Sequence, residues 1–195
     1  MRRTAQLLAG LALLAGCGGG PVTPDTAGGS RALATPTLAS DDQSPVAGEG
    51  KDLARLRQAT VAFHDFDQAR AAGWSAKITS CMQDPAAGGM GFHYGNPGLI
   101  DGSVSVEEPE LLLYEPEKNG KLRLVAVEYI IPYTFHSRAA DPPVLFDQKF
   151  SRNDVFQLWG LHAWVWRDNP SGIFAPWNPQ VNCDNTTDVM AMAHN

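Results

Sequence analysis

The sequence predicts an α+β fold: a single domain built on a largely antiparallel sheet, with N-terminal helices packed on one face. Three observations carry that expectation. Leu53, Leu56, Ala59 and Phe63 recur at helical spacing. Apolar runs at 111–114 and 122–131 flank Asn119-Gly120, the strongest short hairpin signal. A third apolar run, 158–166, reads as a strand and is followed by the turn sequence Asn169-Pro170-Ser171-Gly172.

Taken in order, the spacing predicts an amphipathic helix over 52–63. Asp65, with Gln68 three residues on, has the pattern of a capping box for a second short helix. Gly73 would end that helix in a left-handed conformation. Residues 74–81 read as extended. The glycine-rich stretch 88–98 reads as a loop that carries His93. The run 122–131 is apolar at successive positions, which predicts a central strand covered on both sides. The last ten residues are small and polar and are expected to fray.

Composition bounds the function. The chain has 195 residues, 44% hydrophobic, which suits one core and is too short for two large domains. A formal charge of −6 argues against a sequence-blind grip on nucleic-acid phosphates. The three cysteines form neither CxxC nor CxxCH, which excludes common zinc ribbons, thioredoxin-type motifs and covalent c-type haem.

The N-terminus reads as an address. Arg2 and Arg3 precede an apolar run over 5–15, the pattern of a secretory signal. The run is shorter than the ~20 residues a membrane-spanning helix needs. It ends in Leu14-Ala15-Gly16-Cys17, which resembles the lipobox of bacterial lipoproteins. The resemblance implies that residues 1–16 are removed and that Cys17 is lipidated. Gly18 follows rather than Asp, which would place the anchor in the outer membrane where an organism has one. Residues 17–50 then read as the lipidated cysteine and a flexible tether. The part after Cys17 holds seven Gly, four Pro and no aromatic residue, and it would reach roughly 30 Å. Residues 51–184 hold all 17 aromatic residues and form the expected globular domain, with 185–195 as a tail. The expected partner is a membrane through the lipid at Cys17, with a small ligand or an envelope protein also open.

Lipidation would use Cys17 and leave Cys81 and Cys183 as an even pair in an oxidising compartment, which predicts a disulfide. The alternative is one reactive and one buried thiol. Several stretches then stand together: Gly89-Met90-Gly91-Phe92-His93-Tyr94, Val127-Glu128-Tyr129, Leu161-His162-Ala163-Trp164-Val165-Trp166, Asn169-Pro170-Ser171-Gly172 and Trp177-Asn178-Pro179. The set resembles a group of bacterial secreted or lipid-anchored proteins of unknown function. The likeness runs from Phe63-His64-Asp65 to Cys183. It agrees with export and a disulfide and implies no particular reaction.

Three residues stand out chemically. His162 sits mid-strand, on a face that alternates Leu158, Gly160, His162, Trp164, Trp166. Glu128 interrupts the row Leu122, Leu124, Ala126, Glu128, Ile130. A carboxylate there must be paired, protonated or a ligand. His93 lies where glycines allow close approach. Two imidazoles and a carboxylate suit zinc, iron or copper, with His64 as a fourth candidate ligand. The cofactor is otherwise unknown, since no HExxH or HxH sets the spacing. Satisfied core histidines and a strand-end carboxylate near Pro132 are the plainer alternative. Tyr94, Trp164 and Trp166 are candidates to line a ligand pocket, against the alternative of plain core packing. Met190, Met192 and His194 form a weaker copper(I)-type set on the tail. No GxSxG is present, and Ser171 belongs to the NPSG turn. Three functions follow: an envelope lipoprotein binding a metal or small ligand, a metal-dependent enzyme using the same residues, and an interaction module without a catalytic site.

Overall fold

The structure, a computed structural model, describes residues 45–192. It opens with α1 (Pro45–Thr60), which tightens into a 3-10 turn at Val61–His64. The helix thus starts inside the segment read as tether. Pro45 suits a first helical turn, because its φ is preset and its missing N–H leaves no orphan donor. Leu53 and Leu56 are the buried apolar residues that dock the helix, and Thr60 at its end is buried as well. Cys17, and with it the lipidation expectation, lies outside the described residues. Next comes α2 (Phe66–Ala71), capped by Asp65, whose carboxylate accepts the Asp67 N–H at 3.0 Å. Gln68 donates to the same carboxylate at 3.3 Å. Gly73 stops the helix at φ +116°.

The strands are β1 (Ala76–Lys77), β2 (Cys81–Asp84), β3 (Gly88–Gly95), β4 (Leu111–Pro116), β5 (Leu122–Pro132), β6 (Val144–Leu145), β7 (Gln148–Lys149), β8 (Ser151–Asn153), β9 (Leu158–Ala163) and β10 (Val189–Ala191). One sheet runs in the order β10-β2-β3-β4-β5-β9-β8, with β1 also on β3. Every pairing in it is antiparallel except β10 on β2. Strands β6 and β7 form a separate ribbon. The α+β reading holds, with few helices and a β-rich body.

The β4–β5 hairpin turns at Asn119-Gly120 as the sequence indicates. Gly120 is left-handed at φ +78° and donates to the Glu117 carbonyl, while Asn119 Oδ1 accepts the Lys121 N–H. Strand β5 is buried from Leu124 to Ile131, so it is covered on both faces. On one side lie α1, α2 and a cluster that includes Leu112, Tyr114, Val127, Tyr129, Trp159 and Leu161. On the other lie Met82, Met90, Leu113, Ala126, Ile130 and Trp164, packed against Trp177 and Val181 of the irregular C-terminal segment.

Two bulges re-aim side chains. Across β4–β5, Leu113 faces Ala126 but Tyr114 faces Leu124, so Val125 is the extra residue. The row that includes Glu128 is therefore broken. Leu124 joins the helix-side cluster, while Val125, Ala126 and Ile130 face the other way. Across β2–β3, Met82 faces Gly91 and Gln83 faces Gly89, leaving Met90 unpaired.

The glycine-rich stretch corrects the loop expectation: 88–95 is strand β3, held between β2 and β4. Its glycines serve close backbone approach. Gly91 has φ +87°, and a Cβ there would lie 2.4 Å from the Tyr114 carbonyl oxygen. A Cβ on Gly88, at φ +98°, would lie 2.2 Å from the Asn178 carbonyl oxygen.

Cys81 and Cys183 form the expected disulfide, with Cα atoms 5.9 Å apart. It holds the C-terminal segment against β2, and the tail then does not fray where the sequence suggests. Val189–Ala191 pairs in parallel with β2, extended by Cys81 N–H to Asp188 O and Met192 N–H to Gln83 O. Met190 and Met192 pack onto the second cluster rather than standing free, and His194 lies outside the described residues. Removing the bridge in a Cys81→Ala, Cys183→Ala variant opens a sequence separation of 102 residues. The expected loss is roughly 2–5 kcal/mol of unfolding free energy in urea titrations.

Candidate metal centre

Strand alternation brings the three singled-out residues to one face. Glu128 on β5 lies directly opposite His162 on β9. His93 on β3 is aligned with Leu113 on β4, so it stands two strands from Glu128. Two strand spacings are ~10 Å, a gap that an imidazole and a carboxylate close from both ends. His93 Nε2 lies 3.5 Å from Glu128 Oε2, and His162 Nε2 lies 3.8 Å from Glu128 Oε1. One donor atom from each residue falls within 4.8 Å of the others. An ion with ligand bonds of ~2.1 Å separates tetrahedral donors by ~3.4 Å, so small side-chain rotations close this set around one.

All three are buried, at 3%, 7% and 7% exposure for His93, Glu128 and His162. Burial pushes the His93 imidazole down to about 4, partly opposed by its hydrogen bond with the Gly91 backbone. Burial, then the neighbouring His93, pushes His162 down to about 3. Burial, then the nearby Glu110, pushes the Glu128 carboxyl up to about 8. At neutral pH the apo cluster therefore holds two neutral imidazoles and a carboxylic acid, not ion pairs. Contacts of 3.5 and 3.8 Å are also too long for good hydrogen bonds. His162 Nε2 is buried without a hydrogen-bond partner among the described residues. An orphaned imidazole nitrogen aimed at a carboxyl and a second imidazole is what a cation would satisfy.

Two supporting residues were not singled out from the sequence. Thr79 Oγ1 lies 2.9 Å from His93 Nδ1. When Nε2 is the ligand atom, Nδ1 carries the proton and donates to this hydroxyl, which fixes the ring. Nothing in the local sequence around Thr79 signals this. Gly160 faces the Glu128 carboxylate, and a Cβ there would meet Oε1 at 2.8 Å. Its place two residues before His162 on the same face was the legible signal. A second buried acid, Glu110, was also missed. It accepts the Ile130 N–H at 3.1 Å, and burial pushes it up to about 8. It follows the acidic pair Glu107-Glu108, which reads as solvated from sequence.

The other expected site residues lie elsewhere. His64 is exposed at the end of the 3-10 turn, edge-on to Trp166 with ring centroids 4.4 Å apart. It is no fourth ligand. Tyr94 follows His93 and so points to the helix face, against Phe66 and Tyr114. Trp166 also lies on the helix side, its Nε1 donating to Thr60 Oγ1. The strand ends at Ala163, so alternation no longer ties Trp166 to His162. Trp164 does stay beside the site. It stacks against His162 at 6.4 Å and donates to the Ala175 carbonyl, backing the imidazole.

A cavity of about 510 Å³ reaches the three ligands, walled by Met82, Met90, Leu111, Ile130, Phe156, Leu158 and Trp177 among others. The indole that lines it is thus Trp177, not Trp164 or Trp166. No family model, curated protein or solved structure matches the chain.

The raised Glu128 carboxyl has a measurable consequence. A group protonated in the fold but ionised when unfolded costs stability as pH rises from about 4.5 through about 8. In chelator, Glu128→Gln is expected to lie within about 1 kcal/mol of the parent near pH 5 and to exceed it by several kcal/mol at pH 9. Urea unfolding across that range checks it, and an unchanging gap would contradict burial of an ionisable carboxyl. The histidines act at the other end. Their lowered values cost stability only as pH falls below about 6.5.

Proposed function

We propose that this chain is an exported, lipid-anchored cell-envelope protein that binds a divalent transition metal through His93, Glu128 and His162. The observation that carries the metal reading is the convergence of three donors from three strands on one buried point, with His162 Nε2 otherwise unpartnered. Two neutral imidazoles and one carboxylate suit zinc, iron or copper. A divalent ion would displace the Glu128 proton and supply the charge that makes a buried carboxylate tolerable. The anchor and export rest on the sequence: paired arginines, a short apolar run and Leu14-Ala15-Gly16-Cys17. No helix among the described residues is long and apolar enough to cross a membrane, so the lipid would be the attachment.

A second reading, a metal-dependent enzyme, has one observation in its favour. Three protein donors leave coordination positions free, and the cavity reaches them.

The test is metal content of the full chain, expressed with its own leader and purified in mild detergent without a histidine tag. Near one equivalent of zinc, iron or copper is expected, and less than a tenth of that in His93→Ala, His162→Ala. Metal-free protein that stays empty after incubation with each ion would sink the metal reading. Gly160→Ala is expected to weaken metal affinity roughly 10–100-fold by pushing Glu128 off its position. Cys17→Ser is expected to move the protein from the membrane to the soluble fraction on cell fractionation.

A further inference from the structure

The cavity beside the three donors is far larger than an ion requires. At about 510 Å³ it is in the range of pockets that take whole small molecules. Its lining combines the apolar Met82, Met90, Leu111, Ile130, Phe156 and Leu158 with the polar Thr79, Gln148, Ser151 and Asn153. Glu128 is the one acidic side chain lining it among the described residues, while Lys149 and Arg152 stand exposed at its rim.

Charge then narrows the occupant. A divalent ion held by one carboxylate and two neutral imidazoles keeps one net positive charge. That charge sits among buried side chains, where charge is costly, and the nearby buried acid Glu110 does not line the cavity. A monoanionic ligand would cancel it. Hydroxide would also cancel it, but would leave the Met, Leu, Ile and Phe part of the lining against water. A carboxylate carries its charge at neutral pH before it enters, whereas most thiols do not. Its apolar body would cover the Met, Leu, Ile and Phe wall, and the basic rim would favour its approach.

We propose that the cavity binds a small monocarboxylate with an apolar body, its carboxylate completing the coordination of the metal. The inference rests on the metal reading above and names the ligand class of that same site. The carboxylate replaces water on the ion, and no bond within the ligand is made or broken.

The experiment uses the full chain in detergent, stripped with chelator and titrated with cobalt(II), whose visible spectrum reports its coordination. Octanoate, benzoate and acetate are then added separately. Expected is a spectral change that saturates, with octanoate or benzoate binding at least tenfold more tightly than acetate. Cobalt uptake with no carboxylate response, or with acetate binding as tightly as octanoate, overturns this inference and leaves the metal reading standing. No cobalt uptake overturns both.

Discussion

Burial of β5 on both faces is the constraint on which the rest of the molecule depends. From Leu124 to Ile131 the strand is sealed between two layers. It pairs with β4 up to Glu128 and with β9 from Val127 onward, while Glu110 accepts the Ile130 N–H and the Val125 carbonyl accepts the Trp166 N–H. Every side chain on it must therefore be apolar or find a partner inside. Val127, Tyr129 and Ile131 meet the helix-side core, and the Tyr129 hydroxyl donates to the Val106 carbonyl at 2.7 Å. Glu128 alone has no such simple solution. The sheet answers with two imidazoles, one from the next strand and one from two strands away.

The second layer makes that arrangement possible. It is not a helix but an irregular C-terminal segment, pinned by turns and side-chain hydrogen bonds. Asn169 Oδ1 accepts the Ser171 N–H, and Asn169 Nδ2 donates to the Trp177 carbonyl. Asn178, fully buried, donates to the Asp168 carbonyl and accepts the Gln180 N–H. The backbone of Asn178 also bridges to Gly89 of β3. The disulfide closes this layer onto β2, and β10 extends the sheet beyond it. A cover held by such contacts leaves a cavity beside the three side chains instead of filling it. Contacts of this kind would hold the three side chains in place for an ion.

Legibility in the sequence followed the range of the interactions. The hairpin at Asn119-Gly120, the cap at Asp65 and the stop at Gly73 are set by neighbours a few residues apart, so local pattern revealed them. The three donors were also legible, because a charged or polar residue in an apolar run stands out wherever the strand lies. The glycine-rich stretch was misread because glycine has two uses. In 88–95 it serves close packing of backbone against Asn178 and Tyr114, which are distant in sequence. Trp166 was misplaced because the strand ends at Ala163, and alternation was carried past the point where pairing stops. His64 was a plausible donor by type alone, and its position at the end of a 3-10 turn leaves it at the surface.

By itself the sequence determined the fold class, the central strand, the disulfide partners and the three residues of the cluster. It also holds the N-terminal pattern on which the proposal of export rests. The fold class, the strand and the cluster are written in residue type and short-range periodicity, and the pairing of Cys81 with Cys183 in what remains once Cys17 is read as lipidated. Only the tertiary structure decided that His93, Glu128 and His162 meet, that Thr79 and Gly160 support them, and that Tyr94, Trp166 and His64 do not take part. The meeting of the three depends on strand order, whereas Trp166 and His64 are placed by where β9 and the 3-10 turn end. Pairing β3 with β4, and β5 with β9, sets which faces coincide, and an extra residue such as Val125 flips a row of side chains to the opposite face. Strand order joins segments far apart along the chain, and no local pattern encodes it.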